Sequence, residues 1–284
     1  MRTNSQLLTP NAQLLKTEAI ALQIRPWSKT SHIVTWLTPG HGCVVTSVKG
    51  ACRPKSAFLG QYDLFYTCEL LFYPRERNGI HAIRECAPLN RRDALREDWR
   101  AAAAAAYLAD LTARAAPPRQ PHPDIFASLA AALDTLASVP APAACGNVIL
   151  RYEMRLLHHL GLLPDLTLCP ECHAAPAEWH RFSLPAGRIL CAHLAAPRPG
   201  EAVISLHRAV QERFLALRGE ALPRLPGAPP PEKKNDAEAK VSLGLSRFFG
   251  IFISFHLDVP ATVRRVAMEM MDDTKRTVDA SEET

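Results

Sequence analysis

His32-Ile-Val-Thr-Trp-Leu-Thr-Pro39-Gly-His-Gly42-Cys-Val-Val-Thr-Ser-Val48-Lys-Gly50 is the stretch on which the fold of this chain turns. It holds two short runs rich in β-branched residues, His32 to Leu37 and Cys43 to Val48, each ended by glycine or proline-glycine punctuation. Such runs read as two strands joined by a tight connection. Upstream, Glu18, Ile20, Leu22 and Ile24 alternate along a first strand that ends at Arg25-Pro26. Downstream, Leu64 to Tyr73 reads as a fourth strand, Asn78-Gly79 as a hairpin turn and Ile80 to Cys86 as a fifth strand. Pro54 to Leu59 has room for one short helix after the third strand. Five strands with an insert after the third match the strand count of an OB barrel.

Beyond Asn90 the pattern becomes helical. Leu95 to Ala116 contains six consecutive alanines and stops at Pro117-Pro118. Asp124 is placed as an N-cap for a second helix carrying Phe126, Leu129, Leu133 and Leu136, which ends before Pro140. A third runs from about Ala143 to Leu160, with Gly161 where a left-handed cap belongs. Residues 164–200 are rich in Pro, Cys and His and lack helical periodicity. Helix resumes over Ser205 to Arg218, residues 219–236 read as a proline-rich linker, and a last helix covers Ala237 to Leu257 with Phe248, Phe249, Phe252 and Phe255 as core. The fold class is thus α+β. The expected parts are an OB barrel over 1–88, a helical domain over 89–163 and 201–271, a zinc-ribbon-like insert over 164–200, and a polar, disordered tail over 272–284.

The composition supports a packed core: 48% of the 284 residues are apolar and 21% charged. The longest strongly apolar run, Phe248 to Phe255, falls far short of the ~20 residues of a membrane helix. Met1 to Leu15 has no apolar signal core, which points to a cytosolic protein whose eight cysteines are thiols or metal ligands. The net charge of +5 is unevenly spread. Residues 1–60 carry seven Lys/Arg and one acid, a net +6, whereas residues 272–284 carry five acids and two bases. A localised basic face suits a polyanion.

Two local signals carry chemistry. Lys49-Gly50-Ala-Cys-Arg53-Pro-Lys55-Ser56 puts three cations around one turn, beside strands bearing Trp27, Trp36, Phe65, Tyr66 and Tyr73. Cations on a phosphate backbone with aromatics for base stacking are what a single-strand-binding surface needs. The competing reading is that these aromatics fill the barrel. The second signal is Cys169-Pro-Glu-Cys172, whose spacing suits two ligands of one zinc ion. Cys191 follows at a ribbon-like separation. A second C-x-x-C would require cysteine at 194, where Leu194 stands, leaving His193, His180 and His173 as donors, with His193 nearest the required place. A degenerate ribbon held without metal by Leu168, Trp179, Phe182, Leu184 and Leu190 is the alternative. There is no H-x-E, G-x-x-x-x-G-K-[ST] or G-x-S-x-G, and nothing argues for catalysis. A zinc enzyme would have only Glu171 and Glu178 as nearby carboxylates.

These residues resemble the RecO family of bacterial recombination mediators. The resemblance rests on Thr17-Glu-Ala-Ile20, His32 to Pro39 with Gly40-His-Gly42, Val48-Lys-Gly-Ala-Cys-Arg-Pro-Lys-Ser56 and Cys68-Glu-Leu-Leu-Phe-Tyr73. It continues through Arg151-Tyr-Glu-Met-Arg-Leu-Leu157, Leu160-Gly161, Pro164-Asp-Leu166, Cys169 and Cys172, Phe182-Ser183, Gly187 and Leu190-Cys191. It spans roughly 16–257. Leu194, Arg188 in place of an expected glycine, and the proline-rich 219–236 depart from the pattern. The resemblance implies an N-terminal OB domain, a helical domain and a zinc-ribbon-like insert. It implies a non-enzymatic protein of the bacterial cytoplasm that binds single- and double-stranded DNA and anneals complementary strands. Its implied partners are RecR and the tail of the single-stranded-DNA-binding protein, with loading of RecA as the outcome.

On this footing the DNA contacts are placed at Lys29, Lys49, Arg53 and Lys55, flanked by Arg25, Arg75 and Arg77. The metal ligands are Cys169, Cys172, Cys191 and His193. Arg151, Arg155, Arg208 and Arg213 are candidate cations at the rim of an apolar pocket for the partner's tail. An OB and zinc-ribbon protein serving RNA, or a structural adaptor, is the alternative function.

Overall fold

The computed structural model describes residues 14–74, 79–138, 142–173, 177–190, 200–222 and 236–269. The chain divides into two compact units. One comprises residues 1–92 with 116–126, and the other comprises residues 93–115 with 127–284.

The first unit is a closed barrel of β1 (Leu15–Ser28), β2 (Ser31–Thr38), β3 (Gly42–Val48), β4 (Thr67–Tyr73) and β5 (Ile80–Asn90). The order around it is β1-β2-β3-β5-β4. Every pairing is antiparallel except β3 with β5, where Val45–Ser47 runs parallel to Ile80–Ala82 and closes the cylinder. This is the five-stranded, OB-like barrel expected, with β5 running past the anticipated boundary at 88.

The interior is filled by Ala19, Ala21, Val34, Trp36, Val44, Val48, Tyr66, Cys68, Leu70 and Phe72. The single face expected for Glu18, Ile20, Leu22 and Ile24 is therefore broken. Ala19 and Ala21 point into the barrel, and Ile20 and Leu22 are buried on the opposite face. The register of β1 against β2 shifts between Ala21 and Gln23. One extra residue there returns Ile24 to the interior side. The short helix expected over Pro54–Leu59 is absent; the segment is a chain of turns closed by Arg53 N to Gly50 O (3.1 Å), Ser56 N to Arg53 O (2.9 Å) and Leu59 N to Ser56 O (3.3 Å).

Gly42, at φ +62°, closes the β2–β3 connection. A Cβ there would lie 2.4 Å from the Gln120 carbonyl oxygen and 2.7 Å from that of Pro117, so the 116–122 segment can cross this corner only over a glycine. His122 N donates to Pro39 O at 3.1 Å, fixing the crossing.

The second unit contains α1 (Trp99–Ala115), α3 (Pro142–His159), α4 (Arg208–Ala221), α5 (Asp236–Leu257) and α6 (Ala261–Glu269), with α2 (Pro123–Ser138) entering from the first. The alanines justify themselves by burial: Ala101, Ala104, Ala105 and Ala109 are inside, which lets α1 lie close to its neighbours. Pro123 is the first helical residue of α2, so Asp124 lies inside the first turn instead of capping it. Gly161 ends α3 in a Schellman arrangement, with Leu162 N donating to Leu157 O (2.8 Å) and Gly161 N to His158 O (3.0 Å). A small antiparallel sheet, β7 (Arg188–Leu190), β6 (Trp179–Ser183) and β8 (Val203–His207), follows. Its third strand lies beyond residue 200 and takes up the residues expected to begin α4. α4 in turn runs to Ala221 and is capped by Leu222, inside the segment expected as linker; residues 223–235 lie outside the described residues, as does the tail.

Phe182, Phe214, Phe248, Phe249 and Phe252 form one aromatic cluster with neighbouring ring centroids 5.3–6.1 Å apart. Phe255 is exposed, contrary to its expected place in the core. Beneath the helices sits a buried ion pair. Arg264 donates Nε to Glu153 Oε1 (2.7 Å) and Nη2 to Oε2 (2.8 Å), and the Tyr107 hydroxyl donates to Glu153 Oε1 (2.6 Å). Burial and the neighbouring carboxylate hold the Tyr107 hydroxyl well above its ordinary value. This bidentate fork ties α6 to α3 and α1, and Arg264 Nη1 adds a bond to Ser246 O of α5 (2.7 Å).

Candidate nucleic-acid interface

The cations of the first signal converge. Lys49 follows the end of β3 at Val48, and the chain then turns through Gly50 at φ +71°. Gly50 N donates to Ser31 Oγ (3.2 Å) and Cys52 N to Thr30 O (3.2 Å), so the basic turn is stitched to the β1–β2 turn that carries Lys29. Arg53 folds back over Gly50: its Cδ would stand 3.3 Å from a Cβ at that position. The backbone angle therefore calls for glycine, and the stem of Arg53 would have to give slightly to any added Cβ.

Trp27, Ser28, Thr30, Ser31, Lys49, Gly50 and Arg53 line a cleft of about 540 Å³ on this end of the barrel. Lys29, Lys49, Arg53 and Lys55 are all exposed, and none is in an ion pair among the described residues. Lys16, by contrast, is spent on Glu69 at 2.8 Å. Arg25 is exposed on β1 and donates Nη2 to Gln23 Oε1 at 2.9 Å. Arg75 and Arg77 lie outside the described residues.

The aromatics divide as the physics of a small barrel requires. Trp36 is wholly buried, its indole N–H donating to Thr46 Oγ1 at 2.9 Å, and Tyr66 is in the core. Trp27 is 56% exposed at the end of β1 and forms a wall of the cleft. It is the aromatic of the set that lines the cleft together with Lys49 and Arg53. Sequence reasoning missed Arg92, which is a cation but no surface one. It sits buried at φ +51°, donating Nη1 to Phe65 O (2.6 Å) and Thr67 Oγ1 (3.0 Å).

In the second unit, Cys169 and Cys172 share one turn closed by His173 N to Cys169 O (2.8 Å), the first thiol buried and the second exposed. That is the donor chemistry of half a zinc site. Cys191 and His193 lie outside the described residues, and among the described residues no group of three potential ligands is assembled. Arg188 pairs with Glu171 of the same turn at 3.2 Å.

The four candidate rim arginines fare differently. Arg155 is buried and donates Nε to Ala221 O at 2.8 Å, closing the end of α4; it cannot serve at a rim. Arg151 is half-buried and pairs with Glu220 at 2.5 Å, and Arg213 reaches the same carboxylate at 3.8 Å. Arg208 is exposed on the first turn of α4. His158 is exposed and the half-buried His159 bonds Ser128 Oγ at 3.1 Å, as adjacent helix positions require.

Residues 13–92 match the family description Recombination protein O N terminal, and residues 96–224 match Recombination protein O C terminal. The chain is 33% identical over 216 residues to the DNA repair protein RecO of Roseiflexus sp. (strain RS-1), covering 73% of this chain and 74% of that one. The chain belongs to the RecO family. It is 27% identical over 178 residues to the DNA repair protein RecO of Bacillus subtilis (strain 168), covering 63% and 68% of the two chains. It is 30% identical over 186 residues to that of Anaeromyxobacter dehalogenans, covering 65% and 72%. The RecO N-terminal match coincides with the barrel, and the C-terminal match spans α1 to the end of α4. No helix among the described residues is long and apolar enough to cross a membrane.

Proposed function

We propose that this RecO-family chain is a DNA-binding recombination mediator that anneals complementary strands and assists loading of RecA onto strands coated with single-stranded-DNA-binding protein. The observation that carries the reading is the cleft in which exposed Trp27 faces Lys49 and Arg53, with Lys29 and Lys55 on the adjoining turns. Cations without acidic partners neutralise phosphates, and an exposed indole offers a stacking plane indifferent to sequence. RecR and the tail of the single-stranded-DNA-binding protein are the proposed protein partners. Of the four rim candidates, Arg208 is free to meet an acidic tail directly, whereas Arg151 and Arg213 would first have to release Glu220. A structural zinc, if bound, would be held by Cys169, Cys172 and Cys191 with His193 as fourth donor, and would cross-link the insert without taking part in DNA contact.

The test is strand annealing by the full chain, with complementary oligonucleotides coated by single-stranded-DNA-binding protein. The parent accelerates annealing, and the variant K49E/R53E/K55E, which alters exposed residues only, loses most of that acceleration. Equal annealing by parent and variant would refute the site. Annealing of RNA but not DNA would favour the adaptor reading.

A further inference from the structure

Behind the basic turn, three side chains from distant parts of the sequence form a relay. Cys52 Sγ lies 3.2 Å from His32 Nε2, and His32 Nδ1 lies 2.8 Å from the Tyr62 hydroxyl. Tyr62 packs edge-on against buried Trp36, with centroids 5.9 Å apart, and belongs to the rim of the barrel core. Its hydroxyl is pushed well above the ordinary tyrosine range, first by burial and then by Cys52, Cys86 and Asp63, so it remains a hydroxyl that orients the imidazole. Nucleophile, base and orienting group stand in the relation that activates a cysteine.

The thiol is reachable as well as partnered. Cys52 is exposed, as is Cys172 of the second unit, while Cys68, Cys86, Cys145 and Cys169 are buried and burial pushes the half-buried Cys43 up to about 11. Cys52 also precedes Arg53, and its backbone N–H is bonded to Thr30, so it belongs to the turn whose Gly50 and Arg53 wall the cleft, with its sulfur turned to His32 behind that wall. The surrounding cations Lys49, Arg53 and Lys55 would attract a small acidic reactant.

We propose that Cys52 is a reactive thiol, activated by His32, whose mixed disulfide with an acidic low-molecular-weight thiol of the glutathione type closes the nucleic-acid cleft. In the step, the Cys52 thiol passes its proton to His32 Nε2 and the thiolate attacks one sulfur of the small disulfide. The new S–S bond forms as the old one breaks. Cys52 is oxidised, the departing half is reduced, and its thiolate takes the proton back from the imidazolium. The bound half leaves net negative charge beside Lys49 and Arg53 and occupies the space in front of Trp27. The effect on DNA rests on the function proposed above; the reactivity does not.

Two readouts keep the parts separate. Alkylation by iodoacetamide at neutral pH, followed residue by residue by peptide mass spectrometry, is expected to modify Cys52 about tenfold faster than free glutathione under the same conditions. His32→Gln should bring it to the glutathione rate, and Tyr62→Phe should lower it in between, in proteins whose circular dichroism matches the parent. A Cys52 rate unmoved by either substitution overturns the activation. Separately, protein treated with glutathione disulfide should bind a single-stranded oligonucleotide about tenfold more weakly, the loss of one phosphate contact and one stacking plane. Dithiothreitol should restore it, and Cys52→Ser should be insensitive. Unchanged affinity after modification at Cys52 overturns the closing of the cleft. Unchanged affinity in K49E/R53E/K55E would instead fault the DNA interface and leave the thiol chemistry standing.

Discussion

Trp27 and the cations beside it should fail in different ways, and that difference tests the interface more sharply than any loss of affinity alone. Trp27→Ala removes a side chain that is 56% exposed, so it should cost the barrel little stability. If one base stacks on the indole, the substitution removes about 1–3 kcal/mol of binding, or about 5- to 150-fold in affinity. No charge is lost, so the slope of log K against log salt should stay at the parental value. Lys49, Arg53 and Lys55 act the other way. Each phosphate contact on a single strand contributes about 0.7 to that slope, so K49Q/R53Q/K55Q should flatten it by about 2. Between 50 and 200 mM salt the parent should therefore weaken about 20-fold more than the triple variant, and the deficit of the triple variant should fade as salt rises. The assay is fluorescence anisotropy of a labelled oligothymidylate across a sodium chloride series with the full chain. Trp27→Ala binding within twofold of the parent would remove the stacking role. A flattened slope in Trp27→Ala would show that the indole positions the cations and does not itself meet a base.

Other consequences follow from the same geometry. Arg264→Met strands the buried Glu153 carboxylate and should cost about 3–5 kcal/mol, lowering the melting temperature of the helical unit by roughly 6–20 °C, with Glu153→Leu in the same chain recovering most of it. Burial, Arg119 and His41 hold the His81 imidazole below its ordinary value, so the folded barrel keeps it neutral where the unfolded chain takes up a proton. Barrel stability from this group is complete above about pH 6.5 and lost as the pH falls below it, and denaturant melts of His81→Phe between pH 7 and 5 should show a shallower acid-side decline. Elemental analysis of natively purified protein should find about one zinc per chain, reduced by C169S/C172S; metal-free protein with an unchanged melting temperature would establish the ribbon as a metal-independent sheet.

What could be read from the sequence, and what could not, separates by the range over which each property is set. Strand existence is local: β-branched runs, and an aromatic-rich one for the fourth strand, with glycine, proline or a turn at their ends place the five barrel strands within a few residues, because side-chain sterics act on neighbours. The face of β1 is not local. Strict alternation puts Ile20, Leu22 and Ile24 on one face, whereas the extra residue between Ala21 and Gln23 sends Ile24 to the interior with Ala19 and Ala21 and leaves Ile20 and Leu22 on the other side, a choice made by the partner strand. Charge is local too, so the lysine–arginine–lysine turn was visible, whereas the positive φ of Gly50 beneath Arg53 shows only in the folded turn. Which tryptophan faces solvent is not, since Trp27 and Trp36 both sit in strand-like contexts and only the closed barrel buries one and leaves the other at the mouth. The same reasoning explains why Arg155 and Arg208 look equivalent in one dimension and differ in three. A helical arginine one turn from another element finds a carbonyl, here Ala221 O, before it finds a partner protein. It also explains the Cys52, His32 and Tyr62 relay. Ten residues separate Cys52 from Tyr62 and twenty separate it from His32, and no motif spacing encodes a group that exists only because the β1–β2 turn and the 50–62 loop are stitched together at Thr30 and Ser31. The proposed cleft and thiol are therefore both set where two legible segments meet. A substitution that loosens the stitch, such as Ser31→Ala, should disturb the cleft and the thiol together while leaving the barrel strands intact.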